Sequence, residues 1–218
     1  MEDKDIWVLK FRECEASIKL ITEIERIFIE TGERVDLWEI KKAIYYAKKY
    51  HGSQVRQSGE PYYHHTVEVA YMIAKYRFTT EVLITSILHD TLEDTKLTFD
   101  MIYALFGEIV AKQVQDLTRI KINGIKITAA ETLLLSHAKK DIVAIKLCDR
   151  LHNMRTIGAK SPEKARKIAI ETLLYFVPFA AFLAMRDVEK ELTDICHRLL
   201  KKTTKPNAKS LLQIGIFK

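Results

Sequence analysis

The stretch Ser86-Ile87-Leu88-His89-Asp90-Thr91-Leu92-Glu93-Asp94 constrains this chain most, because an apolar helical run ends there in one imidazole and three carboxylates. Positions four apart share a helix face, so His89 is expected above Glu93 and Asp90 above Asp94. Burying carboxylates without partners is costly. The cluster must therefore be solvated, paired with cations or bound to a metal, and the fold has to bring those partners to it. Taken alone, His89-Asp90 reads as a solvated helix end with a satisfied core histidine; other parts of the sequence change that reading.

The rest of the chain points to helices. With 7 glycines and 4 prolines in 218 residues and 48% hydrophobic content, long unbroken helices around a sizeable core fit better than a turn-rich sandwich. Ile18, Ile21, Ile24, Ile27 and Phe28 repeat at helical spacing before Gly32. Asp36 is placed to cap a second helix, with Glu39 completing a capping box, and Gly52 to end it. A polar loop over Gly52 to Pro61 precedes a helix from Tyr62 to Tyr76, and Thr80 is a plausible cap for the helix that ends at His89-Asp90. Thr98 to Phe106 and Glu108 to Leu117 read as two helices separated by Gly107. Asn123-Gly124 permits a small hairpin, but Arg119 to Thr128 is expected to be an irregular loop. Helices are expected over Ala129 to Ala138 and from Asp141 onward. Ser161-Pro162-Glu163 marks a start, a break is expected before Pro178, and a last helix runs from Asp187 to Lys202. The fold class is all-α, a bundle of about ten helices.

The net charge of +6 favours an anionic partner, but the basic residues are scattered, which says little about nucleic acid; a small phosphate-rich substrate would still gain from the positive field, and no nucleic-acid partner is expected. Cys14, Cys148 and Cys196 show no framework or C-x-x-C spacing, Met1 to Asp5 is acidic, and the longest apolar run, Tyr175 to Met185, is too short for a bilayer. A soluble cytoplasmic protein that spans no membrane is expected, with oligomeric state open.

His65, His89, Asp90 and Asp149 make a two-imidazole, two-carboxylate set that suits Mn²⁺, Fe²⁺ or Zn²⁺ and leaves positions for water and substrate. Their order resembles that of the HD superfamily of metal-dependent phosphohydrolases. The flanks are more specific. Gln54 to Tyr62 (QVRQSGEPY), Leu88 to Asp94 (LHDTLED) and Ile145 to Thr156 (IKLCDRLHNMRT) resemble the hydrolase domain of RelA/SpoT homologues, enzymes that degrade the alarmones ppGpp and pppGpp. Ala169 to Leu173 and Glu191-Leu192 extend the resemblance, which spans residues 42–200.

That resemblance implies an HD-domain-like bundle that hydrolyses a 3′-pyrophosphate to GDP or GTP plus pyrophosphate, with Mn²⁺ as cofactor. It implies metal ligation by His65, His89, Asp90 and Asp149, an acidic pair at Glu93 and Asp94, and guanine-nucleotide contacts at Arg56, Ser58 and Asn153. Glu93 and Asp94 could then orient a water and move its proton, while Arg56 stacks on guanine or pairs with phosphate. Lys146 and Arg150 either balance phosphate charge or form structural ion pairs. Thr66 stands where the family usually has proline, and Gln57 where it usually has lysine, which is expected to weaken substrate affinity more than chemistry. Residues 1–202 read as one hydrolase domain, with 1–35 packing on it and 203–218 a polar tail, and hydrolysis without synthesis is expected. Two other readings are an HD phosphohydrolase of another nucleotide and a catalytically weak regulatory nucleotide-binding module.

Overall fold

Helices α1 (Ile6–Lys10), α2 (Glu15–Thr31), α3 (Leu37–His51), α4 (Tyr62–Ala74) and α5 (Thr80–Leu88) open the computed structural model, which describes residues 6–203 apart from 119–120, 123–124 and 127. They are followed by α6 (Thr91–Asp94), α7 (Phe99–Leu117), α8 (Ala129–Leu135) and α9 (Lys140–Arg155), then by α10 (Pro162–Glu171), α11 (Val177–Phe182) and α12 (Arg186–Thr203). The architecture is all-α. The expected polar tail lies, from residue 204 onward, outside the described residues. Among the described residues, no helix is long and apolar enough to cross a membrane.

Helix ends follow local chemistry, with tertiary contacts deciding between near-equal options. The Asp36 carboxylate accepts from the N–H groups of Trp38 and Glu39 and starts α3. Glu39 does not return the bond as the capping box requires: it pairs with Lys42 at 3.1 Å, and the Asp36 N–H donates to Thr80 Oγ1 at 2.8 Å. Thr80 is thereby committed to the neighbouring helix, so Thr79 caps α5 instead, accepting from the Val82 N–H at 3.3 Å. Gly107, at φ 86° and ψ 175°, interrupts α7 at the predicted junction, a conformation L side chains resist. Ser161 caps α10 with Pro162 at its first position. A π turn over Thr172–Phe176 separates α10 from α11 ahead of Pro178, whose missing N–H an α-helix cannot use. The irregular loop expected over Arg119 to Thr128 is corrected, because Lys121 pairs antiparallel with Lys126 and Ile122 with Ile125. The intervening Asn123-Gly124, itself outside the described residues, is the dipeptide favoured at two-residue hairpins.

The core forms around α4, which touches α2, α3, α5 and α9. Both α4 and α5 are apolar on nearly every side, the pattern of helices enclosed by others. The two buried hydroxyls of α5 are satisfied: Thr85 donates to Gln113 Oε1 at 2.7 Å and Ser86 to the Val82 carbonyl at 2.8 Å. Helix α12 packs against α9, α10 and α11 on the other side.

Candidate metal centre and active site

Three parts of this core deliver four candidate ligands to one point. His65 lies early in α4, Asp149 within α9, and His89-Asp90 in the turn between α5 and α6. His65 Nε2 is 3.0 Å from Asp149 Oδ1 and 3.7 Å from Asp90 Oδ2. His89 Nε2 is 3.3 Å from Asp90 Oδ2 and 3.9 Å from Asp149 Oδ1. Ligand atoms of His65, His89 and Asp149 all lie within 4.8 Å of one another. The expected alignment of His89 above Glu93 on one continuous helix is corrected, since α5 ends at Leu88 and α6 begins at Thr91 after Asp90 at φ −96°, ψ −5°. Adjacent residues on a regular helix point roughly 100° apart, so two consecutive ligands need such a break to face one point.

The donor set fits a divalent cation. His89 Nδ1 donates to the Ser86 carbonyl at 2.7 Å, which turns Nε2 toward the carboxylates. That Nε2 is buried and has no hydrogen-bond partner among the described residues. An unpartnered imidazole nitrogen facing two carboxylates, oriented from behind by a backbone carbonyl, is the arrangement of a metal-ligating histidine.

The HD-domain family matches residues 43–185, a span that holds all four candidate ligands. The chain belongs to the HD-domain family. This HD domain is 36% identical over 218 residues to the guanosine-3′,5′-bis(diphosphate) 3′-pyrophosphohydrolase of Spiroplasma citri, a match covering 97% of this chain and 28% of that protein. It is 36% identical over 187 residues to the protein of the same name from Aquifex aeolicus, covering 84% and 27%. It is 35% identical over 189 residues to the GTP pyrophosphokinase rsh of Brucella ovis, covering 84% and 25%. The chain thus spans about a quarter of the length of these relatives. A solved structure of a metazoan ortholog of SpoT, described as hydrolysing ppGpp, shares the fold with a TM-score of 0.63 at 22% identity, over 76% of this chain and 98% of the other.

Charge in the HD domain's centre is balanced within the cluster. Burial opposes protonation of His89, but the Asp90 and Asp149 carboxylates outweigh it and raise its pKa to about 9. Burial pushes the Asp149 carboxyl up, and the His65 hydrogen bond with the two imidazole charges overcomes this, holding it below the usual carboxylate range. Asp90 is lowered in the same way, against burial, chiefly by His89. A cation site poised between two carboxylates is the result.

The loop before α4 is built to present side chains to this centre. Val55 bridges Pro61, the Arg56 N–H donates to the Glu60 carbonyl at 2.9 Å, and the Gly59 N–H donates back to the Arg56 carbonyl at 2.8 Å. Gly59 sits at φ 86°, where a side chain is strained. Arg56, Gln57 and Ser58 consequently line a cavity of about 340 Å³ together with Glu93, Asp94 and Asn153. A larger cavity, of about 490 Å³, shares Asp90, Glu93, Asp149 and Asn153 with it.

The remaining candidates divide. Tyr62 donates to Asp94 Oδ2 at 2.7 Å while its ring stacks on His51 at 4.8 Å, so Asp94 is held by the loop side. Arg150 and Lys146 line the larger cavity, but Arg150 is tied to Glu171 at 2.8 Å and lies 3.9 Å over the Phe176 ring. Lys146 Nζ donates to the Leu117 carbonyl at 3.1 Å. Thr66 is buried and donates to the Tyr63 carbonyl at 3.0 Å, which satisfies the hydroxyl that stands in place of proline. Sequence reasoning missed Tyr62, His152, Lys160 and Lys164. His152 was within reach of it, because Asp149 and His152 are three apart on a helix and share a face. Burial and the charges of His65 and Arg56 hold its pKa down to about 3, a neutral imidazole at any ordinary pH.

Proposed function

We propose that this HD domain hydrolyses the 3′-pyrophosphate of ppGpp and pppGpp in the cytoplasm, giving GDP or GTP plus pyrophosphate, with residues 1–202 acting as one hydrolase unit. The observation that carries the reading is the convergence of His65, His89, Asp90 and Asp149 between two cavities, the smaller reached by His65, the larger by His89, and both lined by Asp90, Glu93 and Asp149. The two relatives named guanosine-3′,5′-bis(diphosphate) 3′-pyrophosphohydrolase support the choice of substrate.

In this reading the four residues would hold a divalent cation, Mn²⁺ being the proposed one. When bound, a divalent cation supplies positive charge that polarises a phosphoryl oxygen and acidifies a water molecule. Glu93 would orient an attacking water and take its proton, and Asp94, held through Oδ2 by Tyr62, keeps Oδ1 for the same hydrogen-bond array. Asn153 donates to Asp149 Oδ1 at 2.6 Å and fixes that carboxylate's rotamer. Lys160 lines both cavities and Lys164 the larger one, and neither has an ion-pair partner among the described residues. Their ammonium groups meet the phosphates of a polyanionic nucleotide. Ser58 and Gln57 offer polar contacts at the loop side.

The test is incubation of the purified chain with ppGpp and Mn²⁺, with products separated by anion-exchange chromatography. GDP and pyrophosphate in equal amounts are expected. Unconsumed ppGpp, or release of orthophosphate, would count against the reading.

A further inference from the structure

Arg56 belongs to the loop expected to meet the nucleotide, yet its guanidinium turns inward. Nη1 is 3.1 Å from His152 Nδ1, and Nη2 donates to Asn153 Oδ1. Each acceptor in turn touches a candidate ligand: His152 Nδ1 is 2.9 Å from His65 Nδ1, and Asn153 Nδ2 donates to Asp149 Oδ1 at 2.6 Å. A guanidinium has donors only, so the nitrogen it meets on His152 carries a lone pair. His65 Nδ1 approaches that same nitrogen and must be a second donor sharing it. His65 Nδ1 therefore carries a proton, which leaves Nε2, the nitrogen facing Asp149 Oδ1 and Asp90 Oδ2, as the one available to a cation. The other prong acts on Asn153: with Oδ1 taken by Arg56, Nδ2 is the end presented to Asp149.

We infer that Arg56, through His152 and Asn153, is a positioning residue for the metal centre, one fork holding both the proton on His65 Nδ1, and with it the ring's orientation, and the orientation of Asp149. The inference rests on His65, His89, Asp90 and Asp149 being metal ligands, and is independent of which nucleotide is cleaved. It ties the loop over residues 52–61 to metal affinity before any substrate arrives. Outer hydrogen-bond partners of ligating histidines and carboxylates contribute roughly 10–100-fold to metal affinity, and here two such partners depend on one side chain.

The experiment measures Mn²⁺ and Co²⁺ binding to the full chain without nucleotide, by calorimetry and by the visible absorption of the Co²⁺ form. Arg56→Lys keeps the charge a nucleotide would meet but cannot span both acceptors. His152→Leu removes the acceptor for His65, and His152→Asn restores an oxygen near the Nδ1 position. Arg56→Lys and His152→Leu are expected to bind both ions roughly 10–100-fold more weakly, with His152→Asn regaining most of the loss and the wild-type Co²⁺ spectrum. Should His152→Leu fail to fold by circular dichroism, Arg56→Lys decides alone, because its loop lies outside the core. Wild-type affinity in Arg56→Lys overturns the inference and leaves the ligand set standing. A wild-type chain that binds neither ion overturns both.

Discussion

Raising the pH on the metal-free protein should destabilise it through His89. Its folded-state pKa is raised from 6.5 to about 9 because, against the penalty of burial, the Asp90 and Asp149 carboxylates favour the charged ring. A raised pKa means that the stabilisation is fully present below pH 6.5 and is lost as pH climbs through 9. The shift corresponds to roughly 3 kcal/mol, and His89 is only 5% exposed, so solvent screening removes little of it. For a chain of this size that is a fall in Tm of about 6–12 °C between pH 6 and pH 9.5. Scanning calorimetry on EDTA-treated protein reads this directly. His89→Gln should flatten the dependence, and Mn²⁺ should abolish it, since a bound cation replaces the proton between the carboxylates. A metal-free Tm that is flat, or that rises over this interval, would refute the electrostatic account of the centre.

Asp149→Asn should abolish hydrolysis and lower metal occupancy, because a neutral amide is a much poorer ligand, whereas His64→Ala should be mild; elemental analysis and turnover together check this. His51 is not an equally innocent control, since it is buried and stacked on Tyr62. Glu93→Gln should cut kcat by roughly 10²–10⁴ with metal retained, and metal loss in that variant would make Glu93 a ligand instead. Gln57→Lys adds a charge to the cavity wall that already holds Lys160. It should lower KM by an amount worth roughly 1 kcal/mol, shrinking as salt rises, and a change confined to kcat would remove Gln57 from the binding surface.

What the sequence discloses about this fold is what local chemistry decides. Gly32, Asp36 and Ser161-Pro162 mark helix ends because caps depend on a few neighbouring residues. The choice between Thr79 and Thr80 is not local, since it turns on Asp36 of another helix requiring a hydroxyl. The same holds at the site. Convergence of His65, His89, Asp90 and Asp149 could be anticipated from residue types and family resemblance. The inward turn of Arg56, the tie of Arg150 to Glu171 and the grip of Tyr62 on Asp94 join residues 21 to 97 positions apart, and no spacing rule announces them. Lys160 and Lys164, which have no ion-pair partner among the described residues, were hidden for the same reason, because only packing reveals which lysines line a cavity.

On the proposed reading, one divalent cation held by His65, His89, Asp90 and Asp149 is needed to cleave the 3′-pyrophosphate. Titrating metal-stripped protein with Mn²⁺ while following GDP and pyrophosphate release tests it most directly. No turnover is expected in EDTA, and the rate should saturate near one equivalent of Mn²⁺ per chain, with the two products formed in equal amounts. Cleavage that persists in EDTA, or a metal-saturated chain that leaves ppGpp intact, would contradict it.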